Sequence, residues 1–99
     1  MNTYLADVTT ALMMATSMGH AETVGALLEG AAAVDVVDND GRTALMRAAC
    51  YGHAECARLL LEAGADASLR ATGGDWEGKT ALELAEAEGK AEVVALLRS

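Results

Sequence analysis

The side chains best suited to chemistry crowd into one short stretch, Cys50-Tyr-Gly-His53-Ala-Glu-Cys56. Thiolate and imidazole at such gaps are the ligand types of zinc sites. One motif supplies only three of them, and no second paired set follows elsewhere to complete a tetrahedron. Each residue also has a plainer reason to be there. His53 follows Gly52 as His20 follows Gly19, Cys50 closes a helical stretch, and Cys56 is a small apolar filler. The reading is that the chain holds no metal. The carboxylates fare no better as catalysts. Glu22, Glu55 and Glu92 recur at one local position near the start of a helix, where negative charge favours the helix dipole. Gly73-Gly74 lacks the strand and helix that a phosphate-binding loop requires. No nucleophile recurs beside a base. The residues therefore predict no enzyme, no catalytic residue and no cofactor.

What must position these side chains is a segment written three times. Thr10-Ala-Leu-Met-Met-Ala, Gly19-His-Ala-Glu and Leu27-Leu-Glu return thirty-three residues later as Thr43-Ala-Leu-Met-Arg-Ala, Gly52-His-Ala-Glu and Leu60-Leu-Glu. They return thirty-seven residues further on as Thr80-Ala-Leu-Glu-Leu-Ala and Gly89-Lys-Ala-Glu, with Leu96-Leu97 one residue early. A period near this length marks a stacked array whose units bury their apolar faces on one another. Each copy reads as two short helices. The first helices are expected over 10–18, 43–51 and 80–88, with Thr10, Thr43 and Thr80 as N-caps. The second are expected over 21–29, 54–63 and 91–98, with Gly19, Gly52 and Gly89 at left-handed turns between them. Asp38-Asn-Asp-Gly41 and Asp75-Trp-Glu-Gly78 are turn compositions that separate the copies.

These motifs, in this order and spacing, resemble the ankyrin-repeat family over nearly the whole chain. The middle copy carries the likeness best, from Asp40-Gly-Arg-Thr-Ala-Leu45 through Leu59-Leu-Leu-Glu-Ala-Gly-Ala-Asp66. The resemblance implies an all-α, helix-turn-helix solenoid with finger loops, a single domain over residues 1–99. Its repeats would run about 5–37, 38–70 and 75–99, with residues 71–74 inserted. It also implies a protein-binding module that works through a concave surface of fingers and first helices. Carried over position by position, that surface comprises Asp7, Asn39, Asp40, Arg42, Trp76, Glu77 and Lys79 on fingers and Met18, Tyr51 and Glu88 at helix ends. Asp7, Asp40 and Glu77 would form an acidic row, and Trp76 would stand at a finger tip, either as an anchor for the partner or folded back on residues 71–74 or Tyr51.

The departures from the family pattern predict where the stack is weak. Ala11, Ala44 and Ala81 replace the proline that pre-sets the first helical turn, at up to about 1 kcal/mol each. The usual histidine three residues after the threonine is Met13, Met46 and Glu83. Only Glu83 has the spacing of a capping box with Thr80. Copy one has Val8 where the fingers need Gly41 or Gly78, Ala31 where Gly64 ends a helix, and Gly25 inside a helix. Copy three carries Glu83, Glu86, Glu88, Lys90 and Arg98, as a terminal unit with a polar outer face should.

Bulk composition narrows the partner. The net charge is −8, and no Lys or Arg precedes Arg42. That argues against nucleic acid and for a protein partner with a basic, partly apolar surface. No membrane-length apolar run or leader is present, and two cysteines without scaffold spacing fit a reducing, intracellular setting. A monomer is expected. The alternative is a structural or self-associating module that uses the Met-rich N-terminal end, where Tyr4, Leu5, Met13 and Met14 could leave an apolar face.

Overall fold

The computed structural model describes residues 3–30 and 33–98, with the backbone alone over 3–9. Six α-helices follow one another: α1 (Thr3–Met18), α2 (Ala21–Glu29), α3 (Ala44–Tyr51), α4 (Ala54–Glu62), α5 (Ala81–Ala87) and α6 (Ala91–Arg98). A 3₁₀ turn, Gly74–Trp76, lies between α4 and α5. Among the described residues there is no strand, only isolated bridges between Val37 and Thr43 and between Ala71 and Glu77. The helices form two layers. The inner layer packs α1 on α3 and α3 on α5. The outer layer packs α2 on α4 and α4 on α6.

Local chemistry explains where the helices begin and turn. Thr43 and Thr80 have extended backbones, and their hydroxyls accept the N–H of Met46 and Glu83 at 3.1 and 3.2 Å. Glu83 returns the bond to the Thr80 N–H at 3.0 Å, closing the expected capping box. Met46 does the same with its sulfur, accepting the Thr43 N–H at 3.5 Å. The box survives the loss of histidine because a buried thioether can still accept, though weakly. Gly19, Gly52 and Gly89 have φ of +76, +78 and +70°, as the turns require.

Two of those glycines also lie beneath a side chain from the next unit. A Cβ on Gly19 would come within 2.7 Å of the His53 ring, and one on Gly52 within 2.8 Å of the Lys90 stem. His53 Nε2 lies 3.0 Å from the Ser17 carbonyl oxygen, so the ring ties α4 to the end of α1. Nothing comes within 4 Å of the equivalent point on Gly89.

The core runs between the layers through Leu12, Leu45, Met46, Leu60, Val24, Val93, Thr16 and Cys56, all fully buried. Thr16 satisfies its buried hydroxyl by donating to the Leu12 carbonyl at 2.7 Å, the usual solution for a hydroxyl inside a helix. Equivalent positions change character along the stack. Thr23 is exposed where Cys56 and Val93 are buried, and Glu83 and Glu86 are exposed where Met46 and Ala49 are buried. Each end of the array thus puts polar residues where an inner unit has small or apolar ones.

Copy one departs from the sequence expectation. Helix α1 begins at Thr3, so Thr10 lies in its interior and is no N-cap. The segment before it forms helix where a finger was expected. Val8 cannot supply the left-handed turn that Gly41 and Gly78 make at φ +71 and +79°, and nothing else from Tyr4 to Thr9 breaks a helix. Ala31 falls outside the described residues, as do the side chains of Tyr4 and Leu5.

Candidate functional site

The finger between α2 and α3 is built around one carboxylate. Asp38 Oδ1 accepts the N–H groups of Asp40 and Arg42 at 2.9 and 3.0 Å, while the Asp38 carbonyl accepts the Gly41 N–H at 3.0 Å. Asp38 Oδ2 takes the Arg47 guanidinium at 2.6 Å. Burial works against its charge, but the two backbone N–H groups and Arg47 outweigh it and hold the carboxyl below its ordinary 3.8. Arg47 also reaches back across the inner layer. It donates to Ser17 Oγ at 3.4 Å and, through Nε, to Met13 Sδ at 3.2 Å. A residue of α3 therefore ties α1 to the finger.

The second finger closes over the first. The N–H groups of Thr72 and Gly73 donate to the Asp40 carbonyl at 2.8 and 3.1 Å. Gly41 is obligatory here twice over, since its φ is positive and a Cβ would lie 2.9 Å from the Thr72 nitrogen. The loop then folds on itself, with Gly78 N–H on the Ala71 carbonyl at 2.8 Å and Lys79 N–H on that of Trp76 at 3.0 Å. Trp76 does not stand alone at a tip. It is half-buried, with the Arg42 guanidinium 4.6 Å above its ring and Tyr51 edge-on at 6.2 Å between centroids. Arg42 pairs in turn with Asp40 at 3.3 Å.

Between α1, α3 and the first finger lies an open groove of about 790 Å³. Its walls include Met14, Met18, Val37, Asn39 and Tyr51. Among the described residues, Met14, Met18, Val37 and Tyr51 are the large apolar side chains that stay exposed, at 57, 59, 49 and 45 %. Its charged members, Asp38 and Arg47, are spent on each other. Chemically this is a largely apolar trough whose uncharged polar members are Thr10, Ser17, Asn39 and the Tyr51 hydroxyl.

The expected surface residues divide accordingly. Met18, Asn39 and Tyr51 share the groove. Tyr51, Trp76, Arg42 and Asp40 form one packed chain leading away from it. Glu77 and Lys79 are exposed on the second finger, and Glu88 is exposed at the end of α5. Asp7 lies in α1, not on a finger, and Asp40 is neutralised by Arg42. Asp7 therefore does not share a finger position with Asp40 and Glu77. Sequence reasoning missed Val37, Asp38 and Arg47, and it set Met14 on an N-terminal apolar face, not in the groove. Its place beside Met18 had a usable signal, since the two stand one helical turn apart.

The Cys-His-Cys motif is dispersed. Cys56 is buried in the core, Cys50 is half-buried, and the His53 ring is bonded to Ser17. Burial, then the charge of Glu88, pushes the Cys50 thiol up, and burial, then Glu55, does the same to Cys56. Protonated thiols are poor nucleophiles and poor ligands. Among the described residues, no group of three or more His, Cys, Asp or Glu side chains is gathered about a point that could hold a metal ion.

Comparison with known proteins agrees with this architecture. A family model described as ankyrin repeats (3 copies) matches residues 1–71 and again residues 32–99. The ankyrin repeat domain of human ASB11, known from a crystal structure, superposes with a TM-score of 0.80 at 29% sequence identity. The alignment covers 88% of this chain and 38% of that one, so the chain spans well under half of that domain's length. No curated protein matches. No helix among the described residues is long and apolar enough to cross a membrane. Three helix pairs in two layers, turned at glycines and with threonine caps on α3 and α5, together with a family model that spans the chain from end to end, place this protein in the ankyrin-repeat family.

Proposed function

We propose that this chain is a protein-interaction module that seats its partner on the concave side, across the groove between α1, α3 and the first finger, and catalyses no reaction. Ankyrin repeats are in general protein-binding units, and a fold alone does not select a partner. The observation that carries the choice of face is the groove itself, where four large apolar side chains remain exposed beside a spent ion pair. Contiguous exposed apolar surface of this kind marks interaction sites. The net charge of −8 favours a partner whose surface is basic around its apolar part and disfavours nucleic acid. The setting inferred is intracellular and the role that of a scaffold. Within the surface first inferred, Met18, Asn39 and Tyr51 make the direct contacts. Glu77, Lys79 and Glu88 form the polar rim, and Arg42 and Trp76 act from behind Tyr51.

The test is a paired capture experiment. Met18→Asp and Tyr51→Ala should each lower capture of the partner at least about tenfold, as loss of a central contact does. Glu62→Ala, on the outer layer, should leave it unchanged. The reverse pattern moves the site to α4 and α6. The rival reading, self-association through the N-terminal end, draws on the exposure of Met14, and light scattering over a concentration series decides it. A mass that rises with concentration and falls back in Met14→Asp would favour the rival.

A further inference from the structure

Four of the five methionines stand in α1 and α3, and the structure sorts them into two pairs. Met46 is 1 % exposed and its sulfur accepts the Thr43 N–H. Met13 is 6 % exposed and its sulfur accepts the Arg47 Nε–H. Both thioethers therefore have a lone pair engaged and little solvent access. Met14 and Met18 are more than half exposed, lie one helical turn apart on the groove wall, and accept no hydrogen bond among the described residues. Neither belongs to the core. Apart from the paired Asp38 and Arg47, the polar groups that line the groove are neutral, Thr10, Ser17, Asn39 and the Tyr51 hydroxyl, so its exposed apolar side chains are what a partner would cover.

We propose that Met14 and Met18 are a modification site for hydroperoxide oxidants, and that oxygen transfer to them closes the groove to its partner while leaving the stack folded. The step balances simply. A sulfur lone pair of each methionine attacks the distal oxygen of a hydroperoxide, an S–O bond forms and the O–O bond breaks. The sulfur is oxidised by two electrons and the peroxide is reduced to water or an alcohol. The product sulfoxide is polar and a strong acceptor, which removes the thioether's apolar character. Met13 and Met46 are shielded, and their oxidation would instead break the Arg47 tie and the α3 cap. Selectivity between the pairs follows from burial and hydrogen bonding. Reversal falls to methionine sulfoxide reductases. The proposal rests on the reading of the groove as a docking surface, since it assigns that surface its regulation.

The experiment uses the whole chain, dilute hydrogen peroxide as oxidant and the neutral apolar dye Nile red as the groove probe. Peptide mapping by mass spectrometry follows each methionine, Met1 separately. Met14 and Met18 should oxidise at least about tenfold faster than Met13 and Met46, because susceptibility follows exposure. The far-ultraviolet circular dichroism should hold through those two additions. Dye fluorescence should fall with them and return after treatment with sulfoxide reductases. The double variant Met14→Leu/Met18→Leu has no exposed thioether in the groove, so whatever dye fluorescence it gives should not change with peroxide. Oxidation of Met13 or Met46 in step with Met14 and Met18, or loss of helicity with the first two oxygens, overturns the proposal. So does dye that stays bound after both exposed methionines are sulfoxides. Dye that never binds the reduced protein, or that binds Met14→Asp/Met18→Asp equally well, sinks the docking reading itself.

Discussion

Replacing Asp38 tests whether the first finger is held as described. Its carboxylate makes two bonds to backbone N–H groups and one charged contact to Arg47, and the side chains of the ion pair are only 26 and 21 % exposed. Each turn bond contributes about 1 kcal/mol net, and a partly screened pair about 1 kcal/mol more. Asp38→Ala loses all three, so the expected cost is about 3 kcal/mol. Asp38→Asn keeps an acceptor for both N–H groups and loses the charge, so it should cost about 1 kcal/mol. For a domain of this size each kcal/mol moves the midpoint by about 4–8 °C, which thermal and urea unfolding followed by circular dichroism resolve easily. Acid supplies the internal control. The folded carboxyl titrates below its ordinary 3.8. Its contribution is therefore fully present above 3.8 and is lost as the pH falls through the folded value. The gap between wild type and Asp38→Asn should be constant near neutrality and close below 3.8. A double-mutant cycle with Arg47→Ala should return a coupling on the order of 1 kcal/mol. An Asn variant as damaged as the Ala variant would refute the turn bonds, and a gap unmoved by acid would refute the ion pair.

Gly25 lies inside α2, and a Cβ there would meet only the Leu59 side chain at 3.9 Å; Gly25→Ala should therefore stabilise by about 0.5–1 kcal/mol in urea, and a loss would mean that the outer layer has no room for the methyl group. Trp76→Ala should destabilise by about 2 kcal/mol through loss of the Arg42 and Tyr51 contacts, while unchanged stability would return the ring to the role of a free anchor. Hydrogen exchange should find the lowest protection over residues 3–30, where Val24 is the one buried residue of α2; faster exchange over 81–98 would contradict this. A chelator should leave the melting temperature unmoved, since metal binding would otherwise appear as folding energy.

The periodic part of the fold was legible because it is written in local chemistry. Threonine caps, turn glycines and apolar stripes placed five of the six helices to within a residue at either end. The longer α1 was not read. Thr10 carries the same following residues as Thr43 and Thr80, so its likeness to them suggested a helix start. The decisive signal was negative, the lack of any turn former before it. Val8 was recognised as a poor finger residue, when its consequence is no finger at all. The site was less legible because it depends on reach across the stack. Nothing near Arg47 in sequence announces Met13 or Ser17, thirty-four and thirty positions away. Likewise Trp76 looks free until Arg42 and Tyr51 are seen beside it.

The His53 ring over Gly19 and the Lys90 stem over Gly52 make each bend a shared possession of two successive copies. A side chain at either bend would meet both a left-handed backbone and the ring or stem of the following copy, so two copies at once hold these positions to glycine. The bare bend at Gly89 carries only the first of these constraints. A designer who wished to lengthen the array beyond α6 would start there, with a fourth copy whose own histidine or lysine could lie across Gly89 as its forerunners lie across Gly19 and Gly52.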